Sequence, residues 1–97
     1  MSTYIGLVNY TEQGIRTIKG SSRRLNAAKK LAKDLGGSIK QFFLTMGAYD
    51  IVVVLDFPDD AAAAKFALAL GSLGNVRTMT LKAFPEPEYR KILHSLS

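Results

Sequence analysis

Residues 50–57 read Asp-Ile-Val-Val-Val-Leu-Asp-Phe, and this stretch decides the fold of the chain. Ile51 to Leu55 are consecutive apolar residues, with no alternation between apolar and polar positions. Such a run is typical of a central β-strand that is covered on both faces. We therefore expect this segment to lie inside a sheet, with protein or another partner packed on each side.

The segments around this strand have the composition of further strands. Residues 4–10, 38–45 and 76–84 are rich in β-branched and aromatic residues, which predicts one strand in each. The connection between the second and third strands is residues 46–49. Gly47 at its first central position favours a type II′ hairpin turn.

Two amphipathic helices separate these strands. Residues 21–35 and 61–73 carry apolar side chains at helical spacing. Gly36 and Gly74 follow them and are suited to the left-handed conformation that ends many helices. A short tail helix begins near Pro87.

The order of elements is β-α-β-β-α-β with a tail helix, in one domain that spans residues 1–97. Right-handed crossovers give this order an α+β, ferredoxin-like fold. Its antiparallel sheet has the spatial order 4-1-3-2, and both long helices lie on one face. We expect this architecture for the chain.

The second face of the sheet is also apolar in this prediction. The third strand has no polar face, and Phe42 and Phe43 point to opposite sides of the second strand. A second protomer, the tail helix or a ligand must cover that face. We favour a second protomer, as in dimeric α+β barrels, because self-complementary contacts are the commonest solution. The expected partner is therefore a second copy, in a homodimer or larger homo-oligomer.

The same topology brings polar side chains to one sheet edge. The ligand-binding candidates there are Asn9, Tyr10, Tyr49, Asp50, Asn75 and Arg77. A tyrosine hydroxyl beside a carboxylate can bind a polar ligand or move a proton, and an arginine can hold an anion with two hydrogen bonds. The alternative is structural: Asp50 caps a turn or pairs with Arg77, while Tyr49 packs at the barrel mouth.

The net charge of +5 comes from one segment. Residues 16–33 hold seven basic residues and no acidic one, whereas the rest holds six basic and eight acidic residues. The anion-binding candidates in it are Arg16, Lys19, Arg23 and Arg24. The alternative is a solvated helix face. RNA-recognition motifs share this order of elements but stack bases on exposed aromatic side chains of strand three. This chain has isoleucine and valines at 51–54 instead, so we do not expect specific nucleic-acid binding.

Composition excludes several kinds of site. Among 97 residues and 10.6 kDa there is no cysteine and a single histidine, so disulfides and thiolate metal sites are absent. His94 has no predictable partner, and Asp59 and Asp60 are better placed to cap a helix than to bind a divalent ion. No apolar run is long enough to span a membrane, and the N-terminus does not look like a secretory signal. We expect a cytoplasmic protein with no metal and no cofactor.

Several stretches together resemble one family. Residues 47–54 contain Gly-Ala-Tyr-Asp followed by the apolar strand, and residues 67–78, 11–16 and 35–37 are also similar to the GYD-domain family. The resemblance covers residues 4–92. It implies a ferredoxin-like α+β fold. The family is functionally uncharacterised, so the resemblance implies no reaction.

Three functions remain open on these observations. The first is a homo-oligomeric ligand-binding or accessory domain whose polar site is the Tyr49, Asp50 and Arg77 edge. The second is a cofactor-independent enzyme that acts on a small anionic or aromatic metabolite. The third is non-specific binding of anions or nucleic acid through the basic helix at 16–33.

Overall fold

A computed structural model describes residues 1–96 of the chain. Its elements are β1 (Ser2–Tyr10), α1 (Glu12–Arg16), a 3₁₀ turn (Ile18–Gly20), α2 (Ser21–Asp34), β2 (Ser38–Leu44), β3 (Ile51–Phe57), α3 (Asp60–Ser72), β4 (Val76–Ala83) and α4 (Glu86–His94). These bounds agree with the predicted strands and long helices within one or two residues.

The four strands form one antiparallel sheet in the order β2-β3-β1-β4, which is the predicted 4-1-3-2 order seen from the other edge. The α+β, ferredoxin-like prediction is therefore confirmed. The register pairs Gly6 of β1 with Val53 of β3 and with Thr80 of β4. β3 and β1 are the two central strands.

The hydrophobic core lies between this sheet and helices α2 and α3. Alternate residues of β3, from Ile51 to Phe57, are buried on the helix side, as are Tyr4 and Val8 of β1. Phe57 is fully buried, and its ring centroid lies 5.1 Å from that of Phe66 on α3. The side chains of α3 that are buried against the sheet are those of Phe66 and of the alanine pair at 62–63.

Local sequence signals mark several of the helix ends. Thr11 caps α1 by accepting a hydrogen bond from the Gly14 amide, and Asp59 caps α3 by accepting one from the Ala62 amide. Gly36 and Gly74 have φ angles of 84° and 82°, in the left-handed region where a side chain is strained.

The predicted type II′ turn at Gly47 is wrong. That turn needs a positive φ at its first central residue, and Gly47 does not have one. The connection between β2 and β3 is instead a wider loop that is closed by Thr45. Its amide donates to the Asp50 carbonyl at 2.8 Å, and its hydroxyl donates to the Tyr49 carbonyl at 2.6 Å.

The face of the sheet that points away from α2 and α3 is apolar and open, and we call it the open face. Its members are Ile5 and Leu7 of β1, Phe43 of β2, Val52 and Val54 of β3, and Met79 and Leu81 of β4. Phe43, Met79 and Leu81 are 50, 53 and 44% exposed. The tail helix α4 does not cover this face, because its own apolar side chains are exposed as well.

The described part of the chain is elongated, with extents of 52 × 30 × 17 Å. Within residues 1–96, no helix combines the length and the apolar character needed to cross a membrane.

Candidate functional site

Asp50 lies at the predicted sheet edge, where its hydrogen bonds connect the start of β3 to the end of β1. Its carboxylate accepts a hydrogen bond from the Tyr10 amide at 2.9 Å. Its own amide donates to the Val8 carbonyl and to the Asn9 side-chain oxygen, both at 3.0 Å. Asp50 therefore takes part in the backbone pairing of two central strands, and its carboxylate already has a partner.

Arg77 and Tyr49 lie at this edge on the side of the open face. Arg77 is the register partner of Asn9 and is exposed, and no ion pair between Arg77 and Asp50 occurs within residues 1–96. The Tyr49 hydroxyl is 4.0 Å from the Met79 sulfur, a weak contact at the border of the open face.

Asn75 and Tyr10 lie on the other side of the sheet, toward the helices. The Asn75 carbonyl accepts a hydrogen bond from the Thr11 amide at 3.1 Å. Gly14 packs directly on this carbonyl: a Cβ at Gly14 would lie 2.0 Å from the Asn75 oxygen. The Tyr10 hydroxyl is 3.1 Å from the Ser21 hydroxyl at the start of α2. These contacts tie α1 and α2 to the sheet edge.

The six candidates thus do not form one cluster. Adjacent residues of a strand point to opposite faces, so Asn9 and Arg77 face one side while Tyr10 faces the other. This period of two is visible in the sequence. Applied to the three candidates that lie in strands, it separates Asn9 and Arg77 from Tyr10.

A cavity of 410 Å³ opens between α2, α3 and the helix side of the sheet. Its walls are mostly apolar and include Val8, Ala28, Leu31, Val53, Phe66 and Leu70. Its polar lining residues are Tyr10, Ser21, Arg24 and Asn75. Two of the six predicted ligand-binding residues, Tyr10 and Asn75, therefore line a cavity, whereas Asn9, Tyr49, Asp50 and Arg77 do not.

Arg24 is the charged residue of this cavity, and two backbone carbonyls and one hydroxyl hold its guanidinium. One terminal nitrogen donates to the Thr17 carbonyl at 2.9 Å and to the Thr17 hydroxyl at 3.1 Å. The other donates to the Gly14 carbonyl at 3.3 Å. No acidic side chain within residues 1–96 lies within 4.0 Å of the guanidinium. Arg24 was predicted only as part of a basic patch, and its cavity contact was not foreseen.

The remaining basic residues of the segment at 16–33 have different surroundings. Arg16 pairs with Glu12, and Lys30 pairs with Asp34. Lys19, Arg23, Lys29 and Lys33 are exposed. Of the four anion-binding candidates, Lys19 and Arg23 thus remain as unpaired surface charges within the described chain, Arg16 is neutralised by a neighbour, and Arg24 lines the cavity.

A second polar cluster, at the opposite end of the sheet, was missed by sequence reasoning. The buried Tyr4 hydroxyl donates to the Asp60 carboxylate at 2.5 Å, and the Lys82 ammonium lies 3.1 Å from the same oxygen. The Asp60 hydrogen bond raises the pKa of Tyr4 and of Lys82 above their ordinary values. The Tyr4 hydrogen bond lowers the pKa of Asp60. Tyr4 and Lys82 are register partners on β1 and β4, and this strand register is the information that would have identified the cluster.

Within residues 1–96, no group of three or more histidine, aspartate and glutamate side chains could hold a metal ion. His94 is exposed on α4. The polar chemistry available in the cavity is therefore that of a phenol, a hydroxyl, an amide and a guanidinium.

Comparison with known proteins gives three likenesses. The chain matches the GYD domain over residues 4–93. It is 36% identical over 86 residues to a Thermus thermophilus protein named glutamine synthetase and cystathionine beta-lyase binding protein, covering 88% of this chain and 90% of that protein. It also resembles a crystal structure of a Thermus thermophilus protein, with a TM-score of 0.56 and 23% identity, over 87% of this chain and 94% of the other. This last likeness concerns the fold alone.

Proposed function

Because the chain belongs to the GYD-domain family, we propose that it is a homodimeric accessory domain that binds another protein. The observation that carries the proposal is the open face, whose seven apolar side chains belong to all four strands of the sheet. A relative whose name describes it as a binding protein for two enzymes supports the accessory role.

The size of the exposed surface supports self-association. The accessible area is 6723 Å², whereas a folded monomer of 10.6 kDa is expected to expose about 5500 Å². The radius of gyration is 14.6 Å, against about 12.5 Å for a compact chain of this length. The excess of about 1200 Å² exceeds the roughly 800 Å² that each partner buries in a standard interface. A second copy seated on the open face, with both α4 helices packed at its rim, would remove that excess.

Size-exclusion chromatography with light scattering tests the dimer. The expected mass is twice 10.6 kDa. Leu81→Glu places a charge on the open face and should give a monomer. Leu68→Glu is the matched control, since Leu68 is 74% exposed on α3 and away from the sheet. A wild-type mass of 10.6 kDa, or a dimer unaffected by Leu81→Glu, contradicts the proposal.

For the partner enzyme we propose the exposed basic side of α2 as the contact. Arg23 and Lys29 have no ion-pair partner within residues 1–96, and the whole segment at 16–33 contains no acidic residue. Charges of this kind attract an acidic protein surface and accelerate its encounter. This surface stays free when the open face is occupied, because α2 covers the opposite side of the sheet.

Biolayer interferometry with purified glutamine synthetase and cystathionine β-lyase tests this contact. The double variant Arg23→Glu, Lys29→Glu should weaken binding at least tenfold, and binding should decrease with added salt. The control variant Lys65→Glu, Lys91→Glu makes the same charge change on α3 and α4 and should bind like wild type. No binding to either enzyme refutes this choice of partner, and equal binding to a DNA oligonucleotide would favour the polyanion alternative.

An enzymatic role receives less support from the cavity. No carboxylate or imidazole lines it within the described residues, so proton transfer would depend on the Tyr10 and Ser21 hydroxyls. Asp50, the carboxylate considered for catalysis, is hydrogen-bonded to the Tyr10 amide and lies outside the cavity. The binding role therefore fits the available groups better.

A further inference from the structure

We propose that the cavity between the sheet and helices α2 and α3 binds a small amphipathic monocarboxylate. Its carboxylate contacts Arg24, and its apolar body packs against the apolar walls of the cavity. This site lies on the opposite side of the sheet from the open face. It goes beyond the accessory role and does not depend on it.

The volume and the walls define the apolar part of the ligand. A cavity of 410 Å³ falls in the range of about 300–1,000 Å³ that is usual for small-molecule sites. The walls formed by the two helices carry no hydrogen-bonding side chain at Ala28 and Leu31 of α2 or at Phe66 and Leu70 of α3. An aliphatic or aromatic body is what such walls accommodate.

The charge and hydrogen-bonding capacity of Arg24 define the head group. A guanidinium has five N–H donors, and Arg24 uses three of them on Thr17 and Gly14. The remaining two have no partner within residues 1–96. A planar carboxylate can accept two parallel hydrogen bonds from a guanidinium, which makes it the best match for an arginine with two free donors.

The Tyr10 and Ser21 hydroxyls complete this polar end. They lie 3.1 Å apart and both line the cavity together with Arg24. One of the two hydroxyls donates to the other, so the pair has one O–H group left to donate to a carboxylate lone pair. Because two backbone carbonyls and the Thr17 hydroxyl already hold the Arg24 side chain, little conformational entropy is lost when the ligand binds.

Isothermal titration calorimetry with decanoate and with decanol as the probes tests the proposal. Decanoate should bind at least tenfold more tightly than decanol, because the two differ only in the charged head. Arg24→Ala should remove this preference and leave decanol binding unchanged. Lys65→Ala is the matched control: it removes the same charge from an exposed position on α3 outside the cavity lining and should bind both probes as wild type does.

A cavity-filling variant locates the ligand. Ala28→Phe should abolish binding of both probes while the far-ultraviolet circular dichroism spectrum stays that of wild type. If that variant does not fold, Ala28→Leu fills less space and should weaken both probes. The proposal is overturned if neither probe binds, if both bind equally, if Lys65→Ala and Arg24→Ala have the same effect, or if the filled variants bind normally.

Discussion

Replacing Asp50 distinguishes a structural carboxylate from a ligand-binding one. Asp50→Ala removes the acceptor of the 2.9 Å hydrogen bond from the Tyr10 amide and leaves this half-buried donor without its partner. A hydrogen bond to a charged group contributes about 1.5–3 kcal/mol, and an unsatisfied buried donor costs about 1–3 kcal/mol. We expect Asp50→Ala to lower the free energy of unfolding by about 2–3 kcal/mol.

Asp50→Asn keeps an oxygen in the same place but loses the charge. A neutral acceptor contributes about half as much as a charged one, so this variant should lose only about 1 kcal/mol. In a domain of this size, 1 kcal/mol corresponds to about 4–8 °C in Tm. The two variants should therefore melt about 10–20 °C and about 4–8 °C below wild type.

Urea unfolding measures the differences in free energy, and thermal unfolding measures those in Tm. Both are followed by circular dichroism at one fixed protein concentration. Asp34→Ala is the control, because the Asp34 pair with Lys30 is exposed at the surface and should contribute no more than about 0.5 kcal/mol. The reasoning is refuted if Asp50→Ala unfolds within about 0.5 kcal/mol of wild type. It would then follow that Asp50 is free to serve a ligand or partner.

Three further predictions concern the fold. Tyr4→Phe should lower stability by about 1 kcal/mol near neutral pH by removing the hydrogen bond to Asp60. The pKa of Asp60 is lowered from its ordinary value of 3.8, so this contribution to stability is lost as the pH falls below 3.8 and through the folded-state pKa. The pKa of Tyr4 is raised from its ordinary value of 10.0, so the contribution is also lost as the pH rises above 10.0 and through the folded-state pKa. The melting temperatures of wild type and variant should therefore converge at low and at high pH. A difference in melting temperature that stays constant across the pH range would contradict the direction of these pKa shifts. Gly14→Ala, whose Cβ would lie 2.0 Å from the Asn75 carbonyl, should cost about 1–3 kcal/mol in urea unfolding. Gly36→Ala, at a φ of 84°, should cost about 1 kcal/mol in the same assay, and an unchanged midpoint would exclude strain there.

Much of the fold could be predicted because its signals are local. The apolar run of β3, the helical spacing in α2 and α3, and Gly36 and Gly74 each act within a few residues of chain. Right-handed crossovers then leave one sheet order for this sequence of elements. The failure at Gly47 was also local: the loop is closed by Thr45 contacts to Tyr49 and Asp50, which a turn-type rule based on glycine does not consider.

The site was less predictable because its contacts join distant residues. The Asp50 carboxylate meets the amide of a residue 40 positions away, and the Tyr4 hydroxyl meets Asp60 across 56 positions. Only the strand register brings these atoms together. The cavity is harder still, since its volume depends on the separation of α2 and α3 from the sheet, and no periodicity in the sequence encodes that separation. Arg24 could be identified as basic, but not as a cavity residue.

The run of apolar residues in β3 now has two separate explanations. Ile51 and Val53 line the cavity, whereas Val52 and Val54 lie on the open face, so a cavity ligand and a second protomer would contact the same strand from opposite sides. Side chains on the two faces do not touch each other, and effects at sites without shared partners usually add. Leu81→Glu should therefore dissociate the dimer without changing decanoate affinity, and Ala28→Phe should block decanoate without changing the mass in solution. If Ala28→Phe changes the mass in solution, or if Leu81→Glu changes the decanoate affinity, then β3 couples the two faces of the sheet. The two sites would in that case not be independent.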